Sequence, residues 1–188
     1  MTFSLEYPAV APDNSTPTWF TRTLGRAPRL VLLTAGGAAA IALTSLSGFA
    51  RDHALLINAS PSLPYWALWL DRTAVPARGD LILFDPPASD LLVRHFGARP
   101  HPFGKRIYGV AGDAVTERNR TFFVNGAVVA LAKPASRWGE PLALGPTGII
   151  PSGCYFVGTE HKDGFDSRYA AIGWICRGRV LGVGRPIL

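Results

Sequence analysis

Ser62 sits in the segment Asn58-Ala59-Ser60-Pro61-Ser62-Leu63-Pro64, and Lys105 in Gly104-Lys105-Arg106-Ile107-Tyr108-Gly109. A serine hydroxyl becomes a nucleophile when a neighbouring base takes its proton, and a neutral lysine amine is such a base. Pro61 and Pro64 restrict the backbone around Ser62 and favour one pose of its hydroxyl. Lys105 opens an apolar strand over Arg106–Val110, a setting in which its amine is partly buried. Of the chain's 19 basic residues only Lys105, Lys133 and Lys162 are lysines. Arginine keeps its proton in a protein whereas a buried lysine can lose it, so an amine base has three sources. Taken singly, the Ser/Pro cluster also reads as a plain loop and Lys105 as a solvated edge residue.

The elements that must position such a pair begin with an apolar segment. Residues 1–29 form a tail that is polar and aperiodic over residues 1–21 and ends with Arg22, Arg26 and Arg29. Residues 30–50, Leu30 to Ala50, form a run of 21 residues without a charge, closed by Arg51 and Asp52. A helix of that length spans about 30 Å, the thickness of a bilayer's hydrocarbon core. Gly48-Phe49-Ala50 also offers small residues spaced as in a cleaved signal peptide. The run is longer than such peptides carry and starts late in the chain, which favours a retained anchor. Arginines ahead of it place the N-terminus in the cytoplasm and residues 51–188 outside.

Those 188 residues suffice for one ordinary domain and an anchor. The 20 glycines and 16 prolines indicate short strands and many turns. Strands are expected at Ala54–Asn58, Asp80–Phe84, Arg106–Val110, Cys154–Gly158 and Trp174–Val183. Asn125-Gly126 marks a hairpin between Thr121–Val124 and Ala127–Ala130. Thr159–Tyr169 reads as a polar loop. The net charge of +6 is scattered, with no run of basic residues, which argues against nucleic acid as a partner. Cys154 and Cys176 flank one loop and read equally as a cross-strand disulfide or as two buried thiols. The four histidines have no ligand-like spacing with them, so no metal site is expected. His161 gives a Ser-His-Asp alternative, which lacks a nucleophile elbow.

The chain resembles the signal peptidase I family of serine peptidases in an ordered set of segments. These are Ser62-Leu63-Pro64, Arg78-Gly79-Asp80-Leu81-Ile82-Leu83-Phe84, Lys105-Arg106-Ile107 with Gly109 and Gly112-Asp113, Val124-Asn125-Gly126, Pro151 to Gly158, and Asp166-Ser167-Arg168-Tyr169. The compact size and the form Ser-Leu-Pro resemble the conjugative-transfer, TraF-type branch, whose members mature pilin subunits. The resemblance implies a mainly β fold: a β-rich catalytic domain behind one N-terminal transmembrane helix. It implies a membrane-anchored endopeptidase without cofactor, in a bacterial inner membrane, with its catalytic domain in the periplasm. Its partners are then a leader peptide or pilin precursor and inner-membrane lipid. Ser62 is implied as nucleophile, Lys105 as base and Ser60 as a hydroxyl donor to the oxyanion. Asp166 and Arg168 support the adjacent loop.

Asp80, Leu81, Ile82, Leu83 and Phe84 are expected to pair with an extended substrate. Two positions depart from the family pattern. Gly164 stands where many members carry a serine that orients the lysine, and Trp66 where the conjugative branch carries a glycine. Tyr65, Trp66 and Trp69 read either as membrane-interface residues or as core. The alternatives to a pilin peptidase are a general signal peptidase and an inactive anchored β-module.

Overall fold

The computed structural model describes residues 27–58 and 63–187. Ser60 and Ser62 therefore lie outside the described residues. The chain divides into two compact units, residues 1–47 and 48–188.

Helix α1 runs from Ala27 to Asp52, with Pro28 in its first turn, where no backbone N–H partner is lost, and Arg51 in its last, where a cation suits the carbonyl end. Leu30, Leu32, Leu33, Ile41 and Leu46 are all exposed. Leu30–Asp52 is long and apolar enough to cross a membrane, by length and composition. Its hydroxyls are satisfied within the helix. Thr34 donates to the carbonyls of Leu30 and Val31, Thr44 to that of Ile41 and Ser47 to that of Thr44. No side-chain donor of these residues needs water, which an apolar surrounding requires.

The larger unit is built on two sheets. The first takes β1 (His53–Ile57), β2 (Ala67–Asp71), β3 (Leu81–Phe84), β4 (Phe103–Gly109), β9 (Cys154–Gly158), β10 (Ile175–Cys176) and β11 (Val180–Pro186), in the order β1-β2-β11-β3-β4-β9-β10. The second takes β5 (Ala114–Arg118), β6 (Thr121–Val124), β7 (Ala127–Leu131) and β8 (Gly148–Ile149), in the order β7-β6-β5-β8. Every pairing is antiparallel. One core gathers Ile82, Phe84, Ile107, Val157, Ile175 and Val183 from the long sheet. Another gathers Val115, Phe122, Val124, Ile150, Phe156 and Tyr169 where the two sheets meet.

Asn125 and Gly126, at φ 50° and 83°, form the expected hairpin turn between β6 and β7. A second turn of the same kind, Asn119-Arg120 at φ 51° and 63°, joins β5 to β6 without a glycine. Arg120 is held in this turn by its guanidinium, which donates to the carbonyls of Ala132, Lys133 and Leu142.

Several expected boundaries move. The strand expected at Arg106–Val110 begins at Phe103, so Lys105 is its third residue rather than its first. Trp174–Val183 is not one strand. It divides into β10, a turn of 3-10 helix at Arg177–Arg179, and β11. Strands β2 and β5 and the short helix α2 (Asp90–Phe96) carry no clear sequence periodicity. Ser89 caps α2 by accepting from Leu92 N–H. Asp80 lies just outside β3, its carboxylate accepting from Ala77 N–H at 2.9 Å.

Cys154 and Cys176 face each other across β9 and β10 and are joined by a disulfide. The bridge closes a loop of 22 residues that contains the whole Thr159–Tyr169 segment. Loop closure of that size stabilises by about 3 kcal/mol through the unfolded chain. Replacing both cysteines by serine is expected to lower the unfolding free energy by about that amount. Chemical denaturation of the two proteins measures it, and an unchanged midpoint would contradict it.

Candidate functional site

Lys105 is carried by β4, whose alternation turns Lys105, Ile107 and Gly109 inward and Arg106 and Tyr108 to the other face. Arg106 accordingly reaches away from Lys105 and donates to the carbonyl of Gly79 at 2.7 Å. Lys105 is 5% exposed. Among the described residues nothing accepts a hydrogen bond from its amine, which stands 5.9 Å from the ring centre of Phe103. Burial drives its pKa below the ordinary lysine value; Asp166 opposes this and Arg168 reinforces it. The amine is thus biased toward the neutral form that a base requires.

The segment leading into and out of residues 59–62 is clamped by Asn58. Its side-chain amide donates to the carbonyls of Leu63 at 3.2 Å and Tyr65 at 2.7 Å. Its backbone N–H donates to the carbonyl of Trp66 at 2.8 Å. Leu63 then packs over β4: a Cβ built on Gly104 would lie 3.1 Å from its Cδ1. The residue after Ser62 therefore touches the residue before Lys105. Tyr65 packs beside Leu63, Leu68 and Leu83, whereas Trp66 is exposed. Trp69 stacks on His53 with ring centres 5.5 Å apart, and His53 on Phe49 at 4.4 Å.

Behind Lys105 the loop Thr159–Tyr169 folds back along β9. Ser167 Oγ accepts from Val157 N–H, and Ser167 N–H donates to the carbonyl of Val157. Asp166 is fully buried and Arg168 is 2% exposed. Arg168 Nε donates to Asp166 Oδ1 at 2.8 Å and Nη2 to Oδ2 at 2.8 Å, a two-pronged contact. The backbone N–H groups of Arg168 and Thr159 add two more donors to the same carboxylate, each at 3.2 Å. Burial pushes the Asp166 pKa up; Arg168 and these donors pull it back, and the paired carboxylate is the charged form they fit. Arg168 also donates to the carbonyls of Thr159 at 2.8 Å and Leu131 at 3.0 Å, fastening the loop to the second sheet. Further out, Lys133 and Arg137 grip Asp163 and lower its pKa to about 2.

These parts surround a cleft of about 990 Å3, lined by Asn58, Leu63, Phe103, Lys105, Gly164 and Tyr169 among others. Its walls include two open main-chain edges. Among the described residues, β1 is paired only on its β2 side, and Phe103–Lys105 are paired only on their β3 side. The expected docking strand Asp80–Phe84 is not such an edge. β3 lies between β11 and β4 and is hydrogen-bonded on both sides, so only its side chains remain, Leu83 among them, to face the cleft. Asp80 is engaged in its turn. Arg78 and Asp113 pair at 2.5 Å, and Asp113 also accepts from Val110 N–H and Asn125, knitting β3, β4 and the β6–β7 turn together. Sequence reasoning overlooked Asn58 and Thr159, both of which lie in polar segments that read as ordinary loop.

A family model described as signal peptidase, peptidase S26, matches residues 29–188. Among solved structures, a signal peptidase I from Enterococcus faecalis is similar to this chain at 25% identity, over 58% of this chain and 97% of that one, with a TM-score of 0.38. No curated protein matches.

Two outcomes are expected from this geometry. The Lys105 amine is disfavoured when charged in the folded state, so the unfolded chain takes up a proton as pH falls below 10.5 that the folded chain resists. Lys105→Met should therefore raise the unfolding midpoint at pH 7, and the gain should shrink as pH approaches 10.5. A difference that stays constant with pH would contradict a desolvated amine. Asn58→Asp keeps the shape but replaces two N–H donors by an anion facing carbonyls. It should cost about 1–3 kcal/mol of stability, read by denaturant titration.

Proposed function

This chain belongs to the signal peptidase family, peptidase S26, and on that premise we propose that Ser62 and Lys105 form its catalytic pair. Members of the family are serine endopeptidases acting on proteins that bear a signal peptide, and leader cleavage is the activity of this chain. The observation that carries the proposed pair is the buried, neutral-biased amine of Lys105 beside the cleft, with Leu63 packed on the neighbouring Gly104.

In this reading the Lys105 amine takes the Ser62 hydroxyl proton as Oγ attacks the scissile carbonyl carbon. The negative oxygen of the tetrahedral intermediate is held by the Ser62 N–H and the Ser60 hydroxyl. Collapse of the intermediate expels the new amine terminus, to which Lys105 returns the proton. A water then hydrolyses the acyl-enzyme by the same route in reverse. Asp166 and Arg168 touch no reacting atom in this scheme; their buried pair supports the loop behind the lysine.

The extended substrate lies between the two open edges, β1 with Asn58 on one side and Phe103–Lys105 on the other. Main-chain pairing there binds a leader irrespective of most side chains, and the cleft walls select among them. This replaces docking on Asp80–Phe84.

Residues 30–50 serve as the anchor, with residues 1–29 in the cytoplasm and residues 51–188 as the peptidase domain on the periplasmic side of a bacterial inner membrane. Arg22, Arg26 and Arg29 ahead of the helix support that orientation. The Cys154–Cys176 bridge supports an oxidising compartment for the domain. The Ser-Leu-Pro form supports a pilin precursor, in conjugative transfer, as the substrate.

Ser62→Ala and Lys105→Ala are each expected to reduce leader cleavage by about 10^3-fold or more while leaving the fold intact. Precursor and mature protein are separated by gel after co-expression of the full-length chain with a pilin precursor or a general secretory precursor. Undiminished cleavage by either variant would overturn the pair. Cleavage of only the secretory precursor by the parent chain would overturn the pilin assignment.

A further inference from the structure

Trp138 and Phe96 are large apolar rings left in contact with water, 67% and 47% exposed, and both line the cleft that holds Lys105. Exposed apolar surface gathered in a cleft marks a place where another molecule binds.

The chain holds Trp138 in that position. Residues 135–141 form a tight turn closed by a bridge between Ala135 and Pro141. Within it, Ser136 N–H donates to the carbonyl of Glu140 at 2.8 Å and Gly139 N–H to that of Ser136 at 3.1 Å. Ser136 Oγ accepts from the N–H groups of Trp138 at 3.1 Å and Glu140 at 3.3 Å. Gly139, at φ 79°, supplies the left-handed residue that the turn needs. From the other side α2 presents His95, which stacks on Trp138 with ring centres 4.1 Å apart and an interplanar angle of 16°. Glu140 fixes that imidazole by pairing with His95 Nε2, and it also accepts from Arg94 Nε at 2.8 Å. One face of the indole is therefore taken by His95, and among the described residues no second ring stacks on the other. A ring fixed in this way loses little conformational freedom when a ligand covers it.

The same surface continues to the lysine. Phe96 meets Phe103 edge to face, with ring centres 5.0 Å apart. Phe103 stands two residues before Lys105 on β4, so their side chains share a face. It also belongs to the stretch whose outer main-chain edge is open. Ring centres from Phe103 through Phe96 and His95 to Trp138 are 5.0, 6.3 and 4.1 Å apart. The path from Lys105 to Trp138 is thus at most about 20–25 Å, roughly seven residues of extended chain. A chain paired on the Phe103–Lys105 edge reaches these rings without leaving the cleft.

Charge selects what the rings can take. Among the described residues Asp163 is the one carboxylate lining the cleft, and Lys133 and Arg137 already grip it. Glu140 is likewise held by Arg94 and His95. Positive charge around the rings therefore exceeds negative, which disfavours a substrate lysine or arginine and leaves stacking as the mode of binding.

We propose that Trp138, with Phe96 beside it, forms a subsite for an aromatic side chain of the substrate, within about seven residues of the cut. The subsite deepens the reading of this cleft as the leader-binding site and rests on it.

The test gives the full-length chain, in detergent, internally quenched peptides with alanine on the leader side of the cut. Across the series phenylalanine replaces alanine at a single position, from the third to the seventh residue on either side. At one position or more it is expected to raise kcat/KM by about 5- to 20-fold over the alanine peptide, and lysine there should not. In Trp138→Ala that ratio should fall to about 2-fold or less, and in Trp138→Phe it should stay within about 3-fold of the parent's. The readout is a ratio within one preparation of protein, so a general loss of folded enzyme cancels from it.

The inference is overturned if no position favours phenylalanine in an active parent chain, if lysine serves as well, or if Trp138→Ala retains the preference. Absence of a preference, together with a lower oligomeric state of Trp138→Ala by light scattering, would give the rings to a second copy of this chain and overturn it too. Undiminished cleavage by Lys105→Ala would instead remove the underlying reading of the site. A parent chain that depends on Lys105 but is indifferent to phenylalanine would sink this inference alone.

Discussion

The removal of one lysine amine from water is the constraint around which the rest of this domain is arranged. Burial alone disfavours the ammonium form, and an unbalanced carboxylate next to it would restore the charge. Asp166 is the carboxylate that favours the charged lysine, and it is buried too. Its effect is blunted because Arg168 grips it in a two-pronged contact and lies close enough to oppose it at Lys105. The pair presents the lysine with two opposite charges rather than one. Desolvation therefore prevails over attraction, and the amine tends to the neutral state.

Keeping a full ion pair out of water is costly unless its hydrogen-bonding capacity is used. Here it is used for architecture. The carboxylate takes four N–H donors and the guanidinium reaches the carbonyls of Thr159 and Leu131. The loop behind the lysine, strand β9 and the edge of the second sheet are thereby held by one pair of side chains. Close approach of backbone makes this possible. Gly145 sits against the carbonyl of Ser167, where a Cβ would come within 2.0 Å. Gly158 lets the ring of Tyr108 lie over it, where a Cβ would come within 2.6 Å. These two glycines are required by space, not by backbone conformation.

The cleft follows from the sheet's ends. β9 stops pairing at Gly158, which leaves Phe103–Lys105 without a strand on that side among the described residues. β1 is likewise paired on one side only. A sheet normally protects such edges, because they recruit other strands. In the function proposed above, which requires an extended chain to be held, the same open hydrogen-bonding groups are the binding device. The lysine stands on one of these edges, and Asn58, just past the other, bonds to the main chain of Leu63, Tyr65 and Trp66.

The long apolar helix, the β-rich character, the β6–β7 hairpin and the inward face of Lys105 were legible in the sequence, because each depends on residues near one another in the chain. A charge-free run, a period of two and an Asn-Gly turn act locally. Expectations that depended on partners far along the chain fared less well. Asp80–Phe84 reads as an available strand until β11, about a hundred residues later, closes its second edge. Lys105 reads as a strand opener until Leu83 and Phe84 pair with the residues before it. Thr159 reads as loop, and its bonds to Asp166 and Arg168 exist only because the loop folds back along β9. The sequence by itself therefore determined which residue types were present to do chemistry and where the long apolar helix lies. The tertiary structure alone decided the environment of the lysine, because desolvation and register are properties of what surrounds a group, and most of what surrounds Lys105 comes from elsewhere in the chain.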